Sequence, residues 1–166
     1  MRNEYAQIHH LPGDIIRHSG LIDFIHRNYG RDSQGRWFFQ NGPQRVFIDL
    51  DYTPFIARIE DAIIKSNTGV TIQPQACLMD ETGRMLLNCE VLIQVANDNL
   101  FTTKAEKMNL LVHDHDLERF SHRVQLNNVC GALGSWEWQG QIFEIEGVTS
   151  TEIKKRYCLR PSSRNS

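Results

Sequence analysis

Nowhere does the chain string together the roughly 20 apolar residues that a bilayer-spanning helix needs, so helical membrane transport and anchoring drop out first. The opening MRNEYAQIHHLPGD also lacks the apolar centre of a secretory signal. Cysteine is sparse and scattered: Cys77, Cys89, Cys130 and Cys158 form no C-x-x-C pair, which speaks against a zinc ribbon or a thioredoxin-type redox site. The expectation is therefore free thiols in a reducing, cytoplasmic setting. Neither sign of charge dominates, because 18 Lys+Arg stand against 20 Asp+Glu for a net charge of -2. Such a balance gives no field to draw the whole molecule onto phosphate or anionic lipid, so nucleic-acid and membrane partners are disfavoured. G-x-x-x-x-G-K-[ST], G-x-G-x-x-G and nucleophile-elbow spellings are missing too, which removes the common nucleotide-binding and serine-hydrolase readings. No repeat and no Pro/Gly/Ser-rich linker divides the chain, so one domain is expected.

What is present fits an ordinary globular core. A folded chain of 166 residues buries roughly 70% of the surface that its unfolded form exposes. Residues 1–13 lack periodicity and are expected to be a flexible lead-in, with the folded domain over 14–160 and a frayed tail at 161–166. The spacing of Leu21, Phe24, Ile25 and Tyr29 predicts a helix over 20–28, with Ser19 as N-cap and Gly30 at the left-handed C-terminal position. RDSQG at 31–35 turns the chain into the aromatic run Trp37-Phe38-Phe39, which has high strand preference. In RVFIDLD, Val46, Ile48 and Leu50 share one face while Arg45, Phe47, Asp49 and Asp51 share the other, so Trp37 to Asp51 is expected to be a β-hairpin. Pro43 lacks the N–H that closes a type I′ turn, which favours a four-residue loop over 41–44.

Further strands are expected over 55–60, 70–79 and 84–95, the last two joined by Asp80-Glu81-Thr82-Gly83, with Cys77, Met79, Met85, Leu87 and Cys89 on one core face. Residues 61–69 end in turn formers. Thr103-x-x-Glu106 and Thr149-x-x-Glu152 both spell a capping box, predicting a short helix at each. Leu117, Phe120 and Val124 predict another helical piece capped by Asp116, and strands are expected at 136–138 and 141–146 around Gln139-Gly140. The fold class implied is α+β: a largely antiparallel sheet of about five to seven strands, with an N-terminal helix and one or two short helices packed on one side or end.

Arg17-His18-Ser19-Gly20-Leu21, Gly35-Arg36-Trp37-Phe38-Phe39-Gln40-Asn41-Gly42-Pro43-Gln44-Arg45-Val46 and Asp80-Glu81-x-Gly83-Arg84 resemble a family of small proteobacterial proteins known only as a domain of unknown function. The resemblance covers about residues 14–90. It implies a bacterial cytoplasmic protein and carries no activity, cofactor or catalytic residue with it.

Two groups of residues could carry function. In the hairpin, Arg36, Gln40, Asn41, Gln44 and Arg45 surround Trp37, Phe38, Phe39 and Phe47. Phe47 alternates out of phase with Val46, Ile48 and Leu50, so it must meet a helix, a second layer or a partner. Aromatic and arginine side chains together are enriched at binding hot spots, and side-chain amides can hold a ligand or a peptide backbone. The competing expectation is that the first helix simply covers this face. The second group is His113, Asp114, His115 and His122, whose imidazoles and carboxylate suit a divalent transition metal and would make a hydrolase-like enzyme. There the competing reading is a polar loop that caps the next helix. No other cofactor is expected. The favoured function is a non-catalytic binding or regulatory module with a protein or small-molecule partner on the hairpin.

Overall fold

The computed structural model describes residues 17–97, 100–126 and 133–158. The expected lead-in at 1–13, the tail at 161–166, Cys130 and most of the loop at 127–135 lie outside the described residues. The first helix, α1 (Ser19–Arg27), buries Ile25 and His26 while Leu21 and Phe24 of its apolar stripe stay exposed. Its cap is His18 rather than Ser19, since the His18 Nδ1 accepts the Leu21 N–H at 3.1 Å. Burial pushes the His26 imidazole down to about 4 despite the nearby Asp23, so it packs as a neutral ring against Tyr29.

Gly30 is not the left-handed helix stop expected of it. It lies in β1 (Tyr29–Asp32), which pairs antiparallel with β2 (Trp37–Asn41). A Cβ at Gly30 would sit 2.6 Å from the Phe38 Cζ, so the glycine makes room for a cross-strand aromatic ring. β3 (Gln44–Phe47) completes the expected hairpin. The loop is two residues rather than four, because Asn41 and Gln44 pair directly. Gly42 supplies the positive φ of 58° that this turn needs. Pro43 is tolerated because the closing donor of such a turn is the N–H of the residue after it.

The chain continues through β4 (Ile56–Glu60), β5 (Ile63–Ser66), β6 (Thr71–Ile72), β7 (Pro74–Met79), β8 (Met85–Asn97) and β9 (Leu100–Val112). A 3-10 turn (Asp114–Asp116), α2 (Leu117–Ser121), β10 (Val124–Leu126), β11 (Gly134–Trp138), β12 (Gln141–Gly147) and α3 (Ser150–Tyr157) follow. The β7–β8 register is as expected, with Cys77 opposite Leu87, Met79 opposite Met85 and both cysteines buried. Burial raises the Cys77 and Cys89 thiols to about 12, so they behave as core packing rather than as nucleophiles.

The fold class is corrected by the sheet itself. Among the described residues one 12-stranded mixed sheet, against the five to seven strands expected, runs in the order β10-β11-β12-β7-β8-β9-β4-β5-β6, and β1, β2 and β3 branch from β8. β1 pairs parallel with β8, β12 with β7 and β4 with β9, so the sheet is mixed as well as larger than the small, largely antiparallel one expected. Strand β9 accounts for the largest departure. Thr103-x-x-Glu106 does not start a helix; it lies mid-strand, in a continuous register with β8 from Leu86 opposite Leu111 to Asn97 opposite Leu100. The same spelling at Thr149 does cap α3, where the Thr149 side chain accepts the Glu152 N–H at 3.1 Å. There Ile153 and Tyr157, four residues apart, bury one helix face. Residues 61–69 do end in a turn, after Asp61-Ala62 closes a β4–β5 hairpin and Ile63–Ser66 forms β5, whereas Val124 is in a strand rather than the expected helix.

The sheet curls around a core of Trp136, Phe120, Tyr52, Phe55, Trp37 and the Leu86–Leu87 and Leu110–Leu111 pairs. The β11–β12 and β4–β5 turns meet where the Gln139 amide donates to the Ala62 carbonyl. Among the described residues no helix is long and apolar enough to cross a membrane.

Candidate functional site

Pairing fixes which side of the branch each residue faces, because directly opposed residues share a face. Tyr29, Arg31, Trp37 and Phe39 point one way; Gly30, Phe38, Gln40, Arg45 and Phe47 point the other. Trp37 belongs to the inner side, where Tyr29 and Phe55 meet it edge-on at 6.4 and 5.7 Å and its exposure falls to 3%. α1 packs on that side through Ile25 and His26. The expected cover by the helix therefore reaches Trp37 and leaves the opposite face without it.

The outer face is a ladder of guanidinium and ring. Arg36 lies 4.4 Å over the Phe47 ring, and Phe47 meets Phe38 edge-on at 6.1 Å. Arg45 lies 4.5 Å over Phe38 and 5.4 Å from Phe101, which contacts Phe38 from β9 at 6.3 Å. Phe38 is fully covered by these neighbours and by the space over Gly30. Phe47 and Phe101 remain 38% and 42% exposed. Leu92, on the same side of β8 opposite Ala105, is 66% exposed and extends the apolar strip. Gln40 bonds the Gly42 carbonyl and approaches the Arg45 Nε at 3.5 Å. Asn41 and Gln44 form the exposed pair beside the turn.

Arg36 is held from below. The Asp32 carboxylate accepts the Gln34 N–H, the Arg36 N–H and the Arg36 Nε–H at 2.9, 2.8 and 2.7 Å, while Gly35 takes φ 82°. An equivalent turn recurs at Asp80, where Thr82 N–H, Arg84 N–H and Arg84 Nε–H donate to the carboxylate at 2.9, 3.0 and 2.7 Å and Gly83 takes φ 88°. Asp80 also receives the Thr82 and Tyr52 hydroxyls. Burial opposes its charge, yet bonds from Thr82, Tyr52 and Arg84 outweigh burial and hold the carboxyl below its usual range.

The structure thus brings together Arg36, Gln40, Arg45 and Phe47 of the expected surface and separates Trp37 and Phe39 from them. Leu92 fell within the strand expected over 84–95, but neither it nor Phe101 was joined to the hairpin, because the chain from Thr103 was expected to be helical and the pairing of β9 with β8 was not foreseen. The β8 residues opposite Phe101, Thr103, Ala105 and Lys107 are Ala96, Gln94, Leu92 and Glu90, a mixed polar and apolar face that gave little periodic signal.

The histidine cluster is engaged otherwise. His113 is buried at the end of β9, and its Nδ1 accepts the His115 N–H at 3.0 Å, which caps the 3-10 turn. Burial, with Arg58 nearby, holds the His113 imidazole below its ordinary value. Asp116 does not cap α2 with its side chain; its carboxylate takes the Arg58 Nε–H and Ile59 N–H at 2.8 and 3.0 Å. His122 sits at the other end of α2. Among the described residues no group of three or more His, Cys, Asp or Glu side chains is placed to hold a metal ion.

A cleft of about 310 Å³ opens beside α2, lined by Ile59 and Asp61, by Arg119, Phe120, His122 and Arg123, and by Trp136 and Trp138.

The chain belongs to the family described as Protein of unknown function (DUF2946), whose model matches residues 1–163. No curated protein and no solved structure matches the chain.

Proposed function

We propose that this protein is a non-catalytic binding module whose partner is a protein segment with apolar side chains flanked by carboxylates, docked on the outer face of the β2–β3 hairpin. The observation that carries this reading is the exposure of Phe47 and Phe101 beneath two ring-stacked guanidiniums. Large aromatics next to arginine are the side chains that supply most binding energy at protein interfaces. Arg36 is already anchored through its Nε to Asp32, so its terminal nitrogens can meet a carboxylate with little further ordering cost. Asn41 and Gln44, both exposed beside the turn, offer amides at the rim for a partner's backbone, and Gln40 braces the turn through the Gly42 carbonyl. A proteobacterial cytoplasm is the setting we assign, in keeping with the free thiols at Cys77, Cys89 and Cys158.

Selection of displayed random peptides on the immobilised protein tests the reading. The expected winners carry Asp or Glu around an aromatic or aliphatic residue, and they bind a Phe47→Ala, Arg45→Ala double variant at least tenfold more weakly. Winners rich in Lys and Arg, or winners that bind the folded double variant equally well, would overturn it. Affinity for single-stranded nucleic acid that falls steeply with salt would point to phosphate recognition instead.

A further inference from the structure

We infer that the cleft beside α2 is a separate binding site for a small single-ring aromatic anion, a carboxylate or phosphate monoester attached to one planar ring. At about 310 Å³ it lies at the small end of ligand pockets, which limits the occupant to one ring and its charged group. One wall is a rigid aromatic stack. Trp136 stacks on Phe120 at 4.6 Å and on Trp138 at 5.6 Å, with interplanar angles of 17° and 16°. Trp136 and Phe120 are occupied by each other, and Trp138 at the end of the stack keeps 7% exposure, so it is the ring against which another planar ring can pack.

The opposite requirement, a counter-charge, is also met. Arg119 and Arg123 are four residues apart at the C-terminal end of α2, both exposed and both lining the cleft. Among the described residues neither guanidinium has an ion-pair partner, and Arg123 instead lies 6.0 Å from the Trp138 ring centre. Asp61 is the single carboxylate among the described residues of the lining, against two arginines. Trp136 adds an independent sign: its Nε1 donor is buried and has no hydrogen-bond partner among the described residues. A buried orphan donor is costly and calls for an acceptor. The walls are tied together by Gln139 bonding to Ala62 and by the Glu137 N–H bonding to the Arg123 carbonyl at 3.0 Å, so the cleft is preformed. This site shares no residue with the hairpin surface and stands or falls apart from it.

Titration of the full chain with benzoate and with phenyl phosphate, followed by tryptophan emission and by calorimetry, tests the inference. Saturable binding of at least one of these probes is expected, with benzyl alcohol and inorganic phosphate each at least tenfold weaker. An Arg119→Gln, Arg123→Gln double variant should lose at least tenfold in affinity while keeping its near-UV circular dichroism. An Arg156→Gln variant, altered in a different cleft near α3, should bind as the parent does. Absence of saturable binding by both aromatic probes, or equal binding by the folded double variant, overturns the proposal. Inorganic phosphate or benzyl alcohol binding as tightly as the aromatic anions would also overturn it.

Discussion

The turns at Asp32 and Asp80 share one spelling, D-x-x-G-R, and one hydrogen-bond pattern, yet the fold puts them to opposite uses. At Asp80 the carboxylate side chain is wholly buried and the arginine lies 3.9 Å over Tyr52, whose hydroxyl closes back on the same carboxylate at 2.8 Å. At Asp32 the carboxylate keeps 9% exposure and the arginine lies over Phe47, which faces solvent. What differs is the ring that receives the guanidinium. A buried tyrosine turns the motif into a core brace, and an exposed phenylalanine turns it into a rigid platform.

The largest expected effect lies on the brace. Asp80→Asn removes a carboxylate that serves donors from Thr82, Arg84 and Tyr52, and should cost about 3 kcal/mol in urea unfolding. Asp32→Asn, with fewer donors and more solvent, should cost about 1 kcal/mol. A reversed order would break the comparison. Acid sharpens it further. Because Asp80 is held below its ordinary value when folded, the unfolded chain takes up the proton first. Its contribution is present above about pH 4 and is lost as pH falls through the lower, folded value. The Asp80→Asn variant should lack that part of the acid limb of a stability-against-pH curve, and the Asp32→Asn variant should retain it.

The remaining effects, all below that of Asp80→Asn, also belong to the platform. Gly30→Ala drives a methyl group toward the Phe38 ring, and should cost about 2 kcal/mol and lift Phe38 out of line with Phe47. Thermal unfolding with near-UV circular dichroism reads both changes. Phe47→Ala, with 38% of the residue already in solvent, should cost less than about 1 kcal/mol in the same assay. A larger loss would make Phe47 a structural residue and weaken its assignment to a partner.

Much of this contrast was legible beforehand, but not its meaning. Alternation placed Phe47 opposite to Val46, and the β7–β8 register followed from the turn at Asp80, because period-two patterning and turn chemistry are local properties. The cap of α3 was legible for the same reason. Strand β9 was not. Thr103 and Glu106 have the spacing of a cap, and the long ladder with β8, together with the Arg31–Glu106 ion pair at 2.5 Å, overrides it through contacts distant in sequence. Gly30 was misread because a glycine after a helical stripe fits a left-handed stop, whereas its use is the ring of a residue on the next strand. With β9 unseen, Phe101 could not be joined to Phe38. The aromatic cleft was out of reach in the same way, since Ile59, Phe120 and Trp136 meet only when the sheet curls on itself.

The most direct test of the binding surface is nuclear magnetic resonance of the isotope-labelled protein, titrated with an acidic, aromatic peptide from the display selection. Amide shifts should cluster at Arg36, Phe38, Arg45, Phe47 and Phe101, with the Thr82–Arg84 turn unmoved. Shifts centred on the Asp80 turn, or spread evenly with none at Phe47 and Phe101, would contradict the account.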